Sequence, residues 1–232
     1  MPYSTVIFDL FGTLIGDFAS SAGPMHTEQM AAALQVPPEP FMRLWRQTLE
    51  MRIVGEFQTV EANLIYVCER MNTRPGEAAI AQAVDIRMRQ MRRVLQPRPG
   101  AIDTLAELKQ KRFKVGLISN ASIEIPILWG ETAFAPLIDQ PVFSSRARMR
   151  KPEVRIYALG CERLGARPDE CLYVGDGEDH ELAGAAKAGL RPVLFRSSGA
   201  KSSGRSHEEA REWKGKTIAD LAQVLELLRD QP

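Results

Sequence analysis

The sequence predicts an α/β fold, a doubly wound parallel sheet with an inserted all-helical cap. Three observations carry this expectation. Short apolar runs, Val6-Ile7-Phe8, Val115-Gly116-Leu117-Ile118 and Leu172-Tyr173-Val174, each stop at a polar residue or a glycine turn, as buried strands do. From about residue 96 onward, such runs alternate with segments of helical periodicity, the pattern of parallel strands covered by helices. From about residue 24 to 95 no strand-like run is present, and the apolar residues recur at helical spacing.

In order along the chain, Val6–Phe8 forms the first strand, and Asp9 ends it. The turn Leu10-Phe11-Gly12-Thr13-Leu14 follows. A strand that stops at a carboxylate places it at the carboxyl edge of the sheet, where ligands of open α/β sheets sit. An isolated Asp before a glycine is more simply a turn residue, so the weight of Asp9 comes from what lies downstream. Phe41, Leu44, Trp45, Thr48 and Leu49 follow helical spacing, as do Val60, Leu64, Val67, Cys68 and Met71, and then Ile80, Val84, Met88 and Met91. Pro37-Pro38, Gly55 and Arg74-Pro75-Gly76 punctuate them. After Pro97-Arg98-Pro99-Gly100, a helix with Ile102, Leu105 and Leu108 leads to the strand that ends at Ser119-Asn120. A strand near 141–143 precedes Arg150-Lys151-Pro152-Glu153, where Pro152 is expected to open a helix running to Leu164. The strand 172–174 enters Gly175-Asp176-Gly177-Glu178-Asp179-His180-Glu181, a glycine turn with a cluster of acids, then a helix through Ala188 and a strand 192–195. The Ser- and Gly-rich segment 197–207 reads as a loop. Ile218, Leu221, Val224, Leu225 and Leu228 predict a final amphipathic helix. The expected division is a core of residues 1–15 and 96–232 and a cap of residues 16–95.

The 232 residues are 44% hydrophobic and 25% charged, an ordinary balance for a globular protein. Thirty Lys+Arg against 29 Asp+Glu leave a net charge of +1, which gives no reason to expect a nucleic acid or an anionic membrane as partner. No apolar stretch approaches the roughly 20 residues that cross a bilayer. The chain enters its first strand at once, without a leader pattern. Cys68, Cys161 and Cys171 show no metal spacing and read as reduced, partly buried thiols. A cytoplasmic protein, monomeric or homodimeric, acting on a small molecule is the expectation.

In this order, the segments around Asp9, Ser119, Lys151 and Asp176 resemble the four motifs of the haloacid dehalogenase superfamily of hydrolases, whose core is Rossmann-like. The resemblance covers residues from about 3 to 195 and includes a helical cap. It implies that Asp9 is a nucleophile forming a covalent ester. It implies that Thr13 supports the loop and hydrogen-bonds at the nucleophile. Ser119 and the backbone N–H of Asn120 would bind a substrate oxygen, and Lys151 would neutralise substrate and nucleophile together. Mg²⁺ would be held by Asp9, the Phe11 carbonyl and Asp176, an oxygen set suited to a hard cation. Glu181 stands behind them, holding a metal-bound water or orienting Lys151, with Asp179 as its rival. Read without the resemblance, Ser119-Asn120 is a turn, Lys151 belongs to a basic run with Arg146, Arg148 and Arg150, and the acids suit a helix N-terminus. The three arginines are assigned to a solvated face, and His180 to a structural role.

Phe11 departs from the phosphatases of that superfamily, which carry there a second aspartate as general acid and base. Such help is worth about 10²–10⁴-fold. Its absence disfavours alkyl phosphates and matters less for acyl or aryl phosphates, or for a departing halide. Leu44-Trp45-Arg46-Gln47 resembles the cap segment of 2-haloacid dehalogenases, where the matching arginine receives halide or carboxylate. Arg46 is therefore a candidate substrate contact, the alternative being a helix-surface arginine. Those enzymes work without metal and lack the acid at the position of Asp176. The expectation is an Mg²⁺-dependent phosphatase of a small phosphorylated metabolite. A metal-independent 2-haloacid dehalogenase and a catalytically degenerate binding protein are the alternatives.

Overall fold

A computed structural model describes residues 3–16, 25–197 and 208–229. Six parallel strands form one sheet: β1 (Thr5–Phe8), β2 (Lys114–Ser119), β3 (Gln140–Phe143), β4 (Cys171–Gly175), β5 (Arg191–Phe195) and β6 (Thr217–Ile218), in the order β3-β2-β1-β4-β5-β6. The strand order reverses between β1 and β4, the switch point at which α/β sheets bind ligands. There Phe8 pairs with Leu117 on one side and with Val174 on the other, so Asp9 and Gly175 emerge side by side.

The alternation along β1 explains why both sheet faces are dry. Val6 and Phe8 join one apolar cluster with Val115, Leu117, Leu172 and Val174. Ile7 points the other way, into a cluster with Ile118, Tyr157, Cys171 and Tyr173. All three β1 side chains are fully buried, each stabilising the fold by about 1.5–3 kcal/mol over an exposed position.

The helices Met25–Ala33, Pro38–Gln47, Leu49–Ile53, Val60–Arg70 and Glu77–Val94 follow β1. All but Leu49–Ile53 contribute to a third cluster that includes Met30, Phe41, Trp45, Leu64, Val67 and Ile80. The longest, Glu77–Val94, reaches the sheet, because Met91 and Val94 belong to the first cluster.

Three elements differ from expectation. Met25–Ala33 is a helix the periodicity did not mark, since two of its four buried residues, His26 and Thr27, are polar. Pro152 does not open a helix: Lys151–Pro152 is a cis peptide and the helix runs Val154–Leu164 with Glu153 at its cap. Ile218 lies not in the last helix but in β6, where it pairs with Phe195; that helix is Gln223–Arg229. All three cysteines are buried free thiols. No helix among the described residues is long and apolar enough to cross a membrane. The predicted loop falls mostly outside the described residues.

Candidate active site

Asp9 is fixed by its own backbone: its N–H donates to Val174 O at 2.9 Å. The turn after it is held from outside. Arg98 donates from Nε to Thr13 O at 3.0 Å and from Nη2 to Gly12 O at 2.8 Å and Ile15 O at 3.1 Å. At Gly12 φ is +77°, and a Cβ there would stand 2.0 Å from Asp176 Oδ2. Only glycine lets Asp176 lie against this turn. Gly12→Ala is expected to lower stability by about 1–3 kcal/mol, the scale of one strained backbone residue, and to displace Asp176. Urea unfolding and divalent-cation titration read the two effects separately.

Lys151 is the hub. It is 3% exposed, and its ammonium pairs with Asp9 and, at 2.5 Å, with Glu181 Oε2. Tyr173 OH lies 3.3 Å from Nζ and donates to the same Glu181 oxygen at 2.6 Å. The other Glu181 oxygen accepts from Gly177 N at 3.1 Å. Asn120 grips the Lys151 backbone from both sides, accepting from its N–H at 2.8 Å and donating to its carbonyl at 3.2 Å. The same amide donates to Asp179 Oδ2 at 2.9 Å.

Asp9, Asp176 and Glu181 each offer an oxygen within 4.8 Å of the others. Three carboxylates gather at one lysine, and the proton affinities of Asp9 and Asp176 reflect it. Burial, helped by Glu181 and opposed by Lys151, pushes Asp9 up to about 7. Burial, then Glu181 and Asp9, holds Asp176 well above the usual carboxylate range. Burial pulls Lys151 down, but Asp9 and Glu181 outweigh it and raise its affinity on balance. An all-oxygen set with surplus negative charge fits a hard divalent cation.

A cavity of about 630 Å³ opens over these groups, lined by Asp9, Phe11, Arg46, Asn120 and Lys151 together with helices of the inserted block. The Ser119 and Thr13 hydroxyls are buried and have no protein partner. This corrects one expectation: the Thr13 hydroxyl makes no hydrogen bond to Asp9, one of whose oxygens accepts from Lys151 instead. A second correction concerns Arg150, which is not on a solvated face. It ion-pairs with Glu50 of the inserted block and, at 2.9 Å, with Asp179. Asp179 thus sits with Arg150 and Asn120, while Glu181 sits with Lys151. Sequence reasoning missed Arg98, Tyr173 and a buried Arg52–Trp45–Arg87 stack. Nothing local marks them: the carbonyls that Arg98 holds lie far along the chain, Tyr173 reads as a core strand residue, and an arginine on a helix reads as surface.

The haloacid dehalogenase-like hydrolase family matches residues 3–189. The chain belongs to this family. It is 30% identical over 139 residues to a glyceraldehyde 3-phosphate phosphatase of Methanothermobacter thermautotrophicus, a match covering 58% of this chain and 60% of that one. A second such phosphatase, from Methanopyrus kandleri, is 33% identical over 44% of each chain. The chain thus spans less than two thirds of these first curated relatives. It is 24% identical to the (S)-2-haloacid dehalogenase 4A of Burkholderia cepacia over 83% of both chains. The structure of a 2-haloacid dehalogenase from Pseudomonas syringae superposes with a TM-score of 0.71 at 21% identity, over 98% of each chain, a likeness of fold. The family is one of hydrolases, and the relatives of this chain within it include both phosphatases and dehalogenases.

Proposed function

We propose that the protein is a phosphatase of the haloacid dehalogenase-like family, acting through an aspartyl intermediate on a small phosphorylated metabolite. The observation that carries this is the Asp9, Asp176 and Glu181 cluster around one lysine. Three acids, Asp9 and Glu181 buried and Asp176 half-buried, gathered at one buried lysine are costly unless a cation joins them, and a metal-independent dehalogenase has no use for Asp176. The division into a core of residues 1–15 and 96–232 and a cap of residues 16–95 is part of the same reading.

Asp9 and Asp176, with the Phe11 carbonyl, are the groups that would hold Mg²⁺. Bound there, the ion would offset the negative charge of phosphoryl group and carboxylates. The Asp9 carboxylate attacks phosphorus; the bond from its oxygen to phosphorus forms as the ester P–O bond breaks, and the leaving group departs as an oxyanion that takes its proton from solvent water. Lys151 balances charge at the attacking carboxylate and on the phosphoryl oxygens. The Ser119 hydroxyl, buried and without a protein acceptor, donates to a phosphoryl oxygen at no cost to an existing bond. Water then attacks phosphorus, releasing phosphate and restoring the Asp9 carboxylate. Asn120 acts by positioning, through its two bonds to the Lys151 backbone. Glu181 and Tyr173 aim the ammonium at Asp9.

The dehalogenase reading is favoured by Phe11 and Arg46, which line the same cavity as Asp9. Activity with and without metal separates the two. Turnover of aryl phosphate is expected to vanish in excess chelator and return with Mg²⁺. Asp176→Asn is expected to raise the Mg²⁺ requirement while leaving the folded spectrum unchanged. Full turnover of 2-haloacids in chelator, with none of phosphate esters, would replace this function with the dehalogenase.

A further inference from the structure

We propose that Arg52 and Arg87 form a second anion subsite in the cavity, which selects substrates carrying a carboxylate or second phosphate besides the group at Asp9. The proposal rests on the reading of Asp9 as the reacting centre. It concerns other lining residues of the same cavity, Arg52, Arg87, Trp45 and His26.

Arg52 and Arg87 are 6% and 3% exposed, rare burial for guanidinium groups. Arg52 lies over the Trp45 ring, 4.2 Å from its centroid, and Arg87 is 5.5 Å from the same centroid. The stack fixes their planes, as suits a recognition site rather than a mobile surface charge. Among the described residues, the hydrogen bonds of Arg52 leave from Nη1, to Trp45 O and Thr48 Oγ1 at 2.6 Å and to Asn63 Oδ1 at 3.4 Å. Nε has no acceptor. None of its partners is charged.

Arg87 donates from Nε to Glu124 Oε1 at 2.6 Å. Arg87 holds Glu124 below the usual carboxylate range against the effect of burial, which keeps it ionised. Among the described residues, then, Glu124 is held by Arg87, and the Arg52 guanidinium has no acid bonded to it. Burial, with Arg87 next to it, pulls Arg52 down to about 9. A buried unpaired charge is unfavourable unless something binds it. An anionic group of the ligand, entering through the shared cavity, would supply the missing charge and the missing acceptor. Arg46, exposed on the helix Pro38–Gln47, would then meet the ligand only at the cavity rim.

The test uses full-length Asp9→Asn protein, which binds without turnover, and a matched pair of ligands. Phosphoglycerate and glycerol phosphate differ in a carboxylate against a hydroxymethyl group; propanediol bisphosphate tests a second phosphate. Calorimetry is expected to show phosphoglycerate or the bisphosphate, whichever the subsite takes, binding about tenfold or more tighter than glycerol phosphate, the scale of one charge-assisted hydrogen bond. Arg52→Gln in the same background is expected to erase that ratio, and Arg52→Lys, which keeps the charge but not the fork, to restore part of it. Equal binding of all three ligands, or a preference that survives Arg52→Gln, overturns the subsite. Should Arg52→Gln fail to fold, the ratio in Arg52→Lys decides: an unchanged ratio overturns the subsite. If the preference is present and depends on Arg52, but native enzyme with Mg²⁺ hydrolyses no phosphate, aryl phosphate included, the phosphatase reading fails and the subsite stands.

Discussion

Asp9→Asn is expected to abolish turnover of every substrate, while the protein stays folded. An amide is a poor nucleophile, and no other group in the site can replace it. Lys151 is a buried cation paired with Asp9 and Glu181, Glu181 is already bound on both oxygens by Lys151, Tyr173 and Gly177, and Asp176 leans on the Gly12 turn. Loss of a covalent nucleophile removes the whole route, so the residual rate should fall to background. Stability should change little or rise, because one of three crowded carboxylates becomes neutral. Burial pushes Asp9 up to about 7, so ionising it at neutral pH without a cation is unfavourable to the fold. Kinetics and thermal unfolding on the same samples check both parts. Retained turnover in Asp9→Asn would mean that another residue attacks.

Phe11→Asp is expected to raise hydrolysis of alkyl phosphates relative to aryl phosphates, by up to the roughly 10²–10⁴-fold that general acid help supplies. Phe11 lines the cavity beside Asp9 and is half-buried, with backbone angles of −76° and 130° that an aspartate adopts without strain. Native enzyme should therefore show steep dependence on leaving-group basicity, with aryl and acyl phosphates far ahead. The gain in the variant is limited by support: an unbraced carboxylate contributes little. A flat leaving-group dependence in native enzyme would show that another residue donates the proton. Glu50 is paired with Arg150, leaving His180 and Asp17 to test; Asp17 falls outside the described residues.

Much of the fold and part of the site were legible because their signals are local. Asp9, Ser119 and Asp176 each end or follow an apolar run, and β1, β2 and β4 place them together at the switch point. What was not legible depends on partners distant in sequence, or on burial and pairing that no periodicity announces. Arg150 looked like one arginine of a basic run, and only folding brings Glu50 and Asp179 to it. Arg98 followed a proline and carried no hint that it would hold the turn after Asp9. Tyr173 read as a core strand residue, and it is one, but its hydroxyl also reaches Glu181. β6 has two residues, too short for any period to show. Met25–Ala33 hides because half its buried face is polar. The Arg52–Trp45–Arg87 stack was invisible for a related reason: an arginine on an amphipathic helix reads as surface until its burial is known.

The most direct test of the account is the covalent state of Asp9 during turnover of an aryl phosphate with Mg²⁺. With a good leaving group the first step outruns the second, so leaving-group release should show a burst. Rapid acid quench followed by peptide mass spectrometry should find the phosphoryl group on Asp9, and no such adduct in Asp9→Asn. Steady turnover with no burst and no phosphorylated protein, or a phosphoryl group on any other residue, would contradict it.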